Sequence, residues 1–190
     1  MQRVAFGIGI GYNTRMNSTT YAARCSSLLS SATLFDYYAA ERWYGEASRF
    51  AQSLRDSTGW NLEVACSVVS AFSPRVTWAH NKVKAQQYAQ GITPKGLRSH
   101  VVAADRCVRM GFDGLNGLKT NAFARAISGD MDAVVVDVWM CRAAGLGKDA
   151  PNKREYREIA EAVRMVAADY GYQPAVMQAL IWILVRGKAD

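Results

Sequence analysis

The chain is 190 residues long and half hydrophobic, with a net charge of +7 and an isoelectric point near 9.4. This suits one domain, or one domain with an N-terminal extension, that buries a real core. The longest apolar run, residues 179–185, is far too short to span a bilayer, and residues 1–10 lack the apolar stretch of a secretory signal, so a cytoplasmic setting is expected. The basic balance favours an acidic partner, nucleic acid first. Cys25, Cys66, Cys107 and Cys141 are scattered, with no CxxC pair, so neither a zinc site nor any other metal site is indicated.

Taken in order, residues 1–20 carry Gly7, Gly9, Gly11, Asn13, Asn17 and Ser18, which break any period, and are expected to be irregular. One short helix is expected over 21–34. Residues 35–54 form a clearer one, with Phe35, Ala39, Trp43, Ala47, Phe50 and Leu54 on one face at spacings of three and four. Trp43 and Tyr44 are expected in the core rather than stacked on a ligand. Residues 1–58 are thus an arm and an amphipathic helix packing on a core formed by 59–190.

Residues 62–72 are apolar on nearly all sides and predict a central buried helix, stopped by Pro74. Helices follow over 78–90 and 98–110, with His80 and His100 as surface or structural groups. Residues 153–170 are strongly amphipathic, and residues 174–185 predict a second buried helix. No stretch alternates convincingly with period two. The fold class is all-α, a helical bundle around two buried central helices.

The most informative stretch is 114–145. A tight turn, Leu115-Asn116-Gly117-Leu118, leads into Lys119 and Thr120, which open a helical run to Ile127. Gly117 is expected to be required there because so tight a turn disfavours a β-carbon. The apolar string Ala133-Val134-Val135-Val136 then ends at Asp137, a natural N-cap for a helix over 138–144. Unpaired N–H groups of a turn and a helix start suit a phosphate oxygen.

This stretch resembles the helix-hairpin-helix DNA glycosylase superfamily, whose hairpin L-P-G-V-G-x-K-T-A is followed by a V-D-x-H string. Lys119 matches the Schiff-base lysine and Asp137 the essential aspartate, eighteen positions on, as in the endonuclease III branch. Residues 68–74 (Val-Val-Ser-Ala-Phe-Ser-Pro) look like the L-L-S-A-Q-x-T segment, and residues 180–187 like the closing H-W-L-I-L-x-G segment. The resemblance covers residues from roughly 60 to 188. Leu115 replaces the first hairpin glycine, Trp139 replaces the usual histidine, and the region between Lys84 and Gly114 is a helix short. No cysteine cluster follows the last helix, so no iron–sulfur cluster and no other cofactor is expected.

The resemblance implies a DNA base-processing enzyme that flips a nucleotide out of double-stranded DNA and cleaves the bond between sugar and base. Asp137 would stabilise charge on the sugar. Lys119 would be either a nucleophile giving AP-lyase activity or a phosphate contact. Asn116, Gly117, Leu118 and Thr120 of the hairpin, with Ser73 and Arg75 of the loop after the first buried helix, would contact DNA. Phe72 stands where the family inserts a side chain into the gap left by the flipped base, and is otherwise a core residue. Small phage-encoded relatives are associated with DNA base hypermodification, which is one alternative, in a bacterial or phage-infected cytoplasm. A non-catalytic DNA-binding protein is another.

Overall fold

Local capping chemistry sets most of the helix boundaries. In the computed structural model, which describes residues 17–187, Asn17 accepts from the Thr20 N–H and starts α1 (Ser18–Leu29), three residues before the expected point. Of the N-terminal arm expected ahead of the helices, residues 1–16 lie outside the described residues. Thr33 and Asp36 form a reciprocal capping box that starts α2 (Leu34–Thr58), and Gly59 ends it in the left-handed conformation. Asn61 caps α3 (Leu62–Ala71), and Thr77 caps α4 (Trp78–Ala89). α5 spans Arg98–Met110 and runs into a short 3-10 turn, Gly111–Gly114. α6 (Leu118–Ser128) follows the hairpin, and Asp137 caps α7 (Val138–Ala143). A second capping box, Asn152 with Glu155, starts α8 (Lys153–Tyr170), and Pro174 occupies the first turn of α9 (Pro174–Arg186). The described residues are all-α, with nine α-helices and no strand.

α3 and α9 are the two buried helices. Every residue of α3 from Val64 to Ala71 is buried, as is every residue of α9 from Ala175 to Ile181. α3 packs against α5 and α6, α9 against α2, α7 and α8, and α1 lies on α8. The N-terminal helices therefore join the same apolar core as the rest, through Tyr21, Cys25, Tyr44 and Ala51 among others.

Three expectations need correction. The buried stripe of α2 is Ala40, Tyr44, Ala47, Ala51 and Leu54, rotated from the expected face, and Phe35 is 76% exposed at the end that projects past the core. Gly117 has φ −102, a conformation open to any residue, and a β-carbon there would come no closer than 3.2 Å, to the Thr120 hydroxyl. The glycine the hairpin does require is Gly114, where a β-carbon would lie 2.6 Å from the backbone nitrogen of Cys107 on α5. Phe72 is 1% exposed. It continues the helical backbone of α3, so its ring turns inward onto Tyr88 at 5.5 Å and His100 at 6.2 Å rather than outward toward a duplex.

All four cysteines are buried and unbridged. Burial pushes the Cys66 thiol up to about 12 and the Cys25, Cys107 and Cys141 thiols to about 11, which makes them packing groups rather than nucleophiles. No described helix is long and apolar enough to cross a membrane.

Candidate functional site

Five helices deliver side chains to one cavity of about 370 Å³. Lys119 sits in the first turn of α6. That turn is anchored to the end of α3 by the Ser70 hydroxyl, which donates to the Thr120 carbonyl at 2.6 Å. Asp137 enters from the head of α7. Its Oδ1 accepts from the Trp139 and Met140 N–H groups at 2.9 and 3.0 Å, the geometry of a helix cap. Its Oδ2 accepts from the indole Nε1 of Trp182 on α9 at 3.1 Å. Three donors from two helices thus fix the carboxylate in one orientation, half-buried in the cavity wall.

The wall beside the carboxylate is aromatic. Trp43 of α2 stacks on Trp182 with ring centroids 5.6 Å apart and planes 28° apart, and tilts against Trp78 of α4 at 5.7 Å. Flat indole faces at a cavity surface suit a planar ring. Arg142 lies over Trp139 and Arg186 over Trp182, each at 4.5 Å, so cations flank both tryptophans that bond to Asp137. Tyr44 is buried beneath them. Burial, then the Asp137 charge, raises the affinity of its hydroxyl for its proton, and that hydroxyl donates to Gln178 Oε1 at 2.5 Å.

Ser73 and Arg75 of the loop between α3 and α4 complete the rim. Arg75 has φ +61, the one non-glycine residue with positive φ among the described residues. Backbone strain of this kind tends to collect at working loops.

The sequence-predicted residues divide. Lys119, Asp137, Ser73 and Arg75 line this cavity together. Asn116, Gly117 and Leu118 do not; they are exposed on the hairpin and line a separate cleft. The Thr120 hydroxyl is turned back onto the Gly117 carbonyl at 3.1 Å. Phe72 is in the core. Sequence reasoning missed Asn81, Gln178 and the indole of Trp182 as cavity residues. Gln178 did leave a signal, since it is the one polar side chain inside the apolar run of α9. Trp182 left none for its bond to Asp137, which spans forty-five positions. Among the described residues no cluster of His, Cys, Asp or Glu is arranged to hold a metal ion.

Fold and site together define an all-α protein with an aromatic cavity that holds a fixed carboxylate and a lysine. Residues 11–189 match the profile of a family described as Family of unknown function (DUF7178), and the chain belongs to that family. No curated protein and no solved structure matches it.

Proposed function

We propose that this protein is a DNA base-processing enzyme of the helix-hairpin-helix glycosylase type. It everts one nucleotide from a duplex into the aromatic cavity and breaks the bond between the sugar and a modified or damaged base, in a bacterial or phage-infected cytoplasm. The observation that carries this reading is convergence: Lys119 and Asp137, from different helices, line one cavity walled by tryptophans.

Eversion costs a few kcal/mol in lost stacking and pairing. Contacts from a protein of net charge +7 to the phosphates, and indole faces for the extruded ring, offset that cost. As the sugar–base bond breaks, its electrons leave with the base and positive charge builds on the sugar. A carboxylate held rigid by the Trp139, Met140 and Trp182 N–H groups stabilises that charge without having to reorganise. Lys119, in its neutral form, attacks the sugar carbon as the base leaves; the sugar ring then opens at that carbon, its oxygen taking the amine's proton, to give a covalent imine, and loss of a proton from the next carbon expels the 3′ phosphate and cuts the strand. If Lys119 instead holds a phosphate, water attacks and the strand stays intact.

The test uses duplexes carrying uracil, an oxidised purine, 5-hydroxymethyluracil or an abasic site, incubated with the protein and then with borohydride. A trapped adduct that Lys119→Ala abolishes is the expected lyase result. Base release without an adduct, lost in Asp137→Asn, indicates a monofunctional glycosylase. Duplex binding with neither outcome replaces the glycosylase with a base-hypermodification transferase or a non-catalytic binder. Transfer of a small group to an activated hydroxymethyl-pyrimidine separates those two.

A further inference from the structure

Among the described residues only three buried side-chain atoms have no hydrogen-bond partner: Ser67 Oγ, Ser73 Oγ and Asn81 Oδ1. Two of the three belong to residues lining the tryptophan cavity. Asn81 is 2% exposed, on the first turns of α4 beside Trp78. A buried carbonyl oxygen left without a donor is costly, and folded proteins rarely keep one without a reason. Gln178, 4% exposed, lies in the same wall. Its Oε1 is engaged by Tyr44, which orients the amide and leaves its NH₂ as the group to offer.

The cavity wall therefore holds one acceptor without a donor, Asn81 Oδ1, one donor group oriented by Tyr44, the Gln178 NH₂, and one unpartnered hydroxyl, Ser73. A ligand that satisfies all three needs one N–H and two acceptors. A uracil-type ring has that edge, with a single N–H between two carbonyls. Cytosine offers an amino group beside two acceptors in a different order. We propose that Asn81 is the specificity residue of a pocket for 2,4-dioxopyrimidines, accepting the ring N3–H while Gln178 and Ser73 donate to the flanking carbonyls. This rests on the cavity being the receptacle for an everted base.

The experiment measures binding of the full chain to labelled duplexes whose central nucleotide is uracil, N3-methyluracil, cytosine or a tetrahydrofuran abasic analogue. Each base sits on a 2′-fluoro sugar that resists glycosidic cleavage and opposite cytosine, which forms no Watson–Crick pair with any of them and is not itself a 2,4-dioxopyrimidine. The expected result is about tenfold tighter binding of uracil than of N3-methyluracil or cytosine. Asn81→Leu should level the three bases, leave tetrahydrofuran binding unchanged and hold or raise the melting temperature, because it removes an unpartnered polar group. A merely structural asparagine would instead lose melting temperature and keep the base preference. Equal binding of uracil and N3-methyluracil by the unaltered protein overturns the inference, whatever the variant does. Retained binding of the tetrahydrofuran duplex in that case leaves the eversion reading standing. If no duplex binds, the eversion reading fails by itself. Calorimetry with free uridine and N3-methyluridine then decides the pocket: uridine bound and its methylated form refused supports it, and neither bound overturns it.

Discussion

Two depressions flank the start of α6, and they differ in what their polar groups are doing. The larger, about 440 Å³, is lined by the hairpin residues Asn116, Gly117 and Leu118 together with Asn121, Arg125, Tyr156 and Arg164. Asn121, Arg125, Tyr156 and Arg164 are engaged in bracing. Asn121 donates to the Phe112 carbonyl at 3.1 Å and accepts from Arg125 Nε at 2.8 Å. Arg164 donates to the Asp132 carbonyl at 3.2 Å, and the Tyr156 hydroxyl donates to the Val134 carbonyl at 2.9 Å. The smaller depression, about 370 Å³, holds the tryptophans, Lys119, Asp137 and two of the unpartnered buried atoms. The two are close in size, and unsatisfied chemistry is what separates them. A cleft whose polar side chains are spent on holding backbone is scaffold, whereas one that buries polar groups without partners is waiting for a ligand.

The contrast can be broken most sharply at Asp137. Asparagine caps a helix about as well as aspartate but loses the bond from the Trp182 indole, so Asp137→Asn should stay folded with a small loss of stability and lose about 10²–10³ in the single-turnover rate of base release. A rate within a few-fold of the unaltered protein would reduce Asp137 to a cap. The second effect belongs to the larger cleft. Tyr156→Phe strips a donor from the Val134 carbonyl and an acceptor from the Val136 N–H, and should cost about 1–3 kcal/mol in urea unfolding while leaving DNA affinity alone. Lost affinity at unchanged stability would turn the bracing assignment upside down. The third concerns the rim. Arg75→Gly removes the strain of φ +61 and should be about 1 kcal/mol more stable than Arg75→Ala. Both should weaken DNA binding alike and lower the salt slope by about one if Arg75 holds a phosphate.

What was legible in the sequence follows the range of the interactions. Helices such as α5 and α8 end at their expected residues because amphipathic period and local caps fix them. Asp137 as an N-cap was legible for the same reason: its partners, Trp139 and Met140, lie two and three positions on. The face of α2 was not, because alanines at 39, 40, 47 and 51 fit either side and only the seating of α2 on α9 chooses between them. Phe72 was ambiguous until the turn after α3 was seen to carry its ring inward. The approach of Trp182 to Asp137, and of Gln178 to Tyr44 across 134 positions, arises only when α9 threads the bundle. The candidate lysine and carboxylate were therefore readable from local pattern, whereas the walls of their cavity were not.

The smallest effect distinguishes the two depressions by pH. Phe72, at the root of the loop carrying Ser73 and Arg75, rests its ring against His100, which is 6% exposed. Burial first, and the Lys84 charge second, lower the affinity of His100 for a proton below that of an ordinary histidine near 6.5. The unfolded chain then binds the proton more readily than the folded one, so the contribution of His100 to stability is present above pH 6.5 and is lost as the pH falls below it. Melting temperatures between about pH 8 and pH 5 should decline more steeply for the unaltered protein than for His100→Gln. No histidine lines the larger cleft, so the penalty of Tyr156→Phe should stay constant over the same range. If that penalty drifted with pH while the His100→Gln difference stayed flat, the titrating group would lie on the braced side, and the loop at the tryptophan cavity would owe nothing to His100.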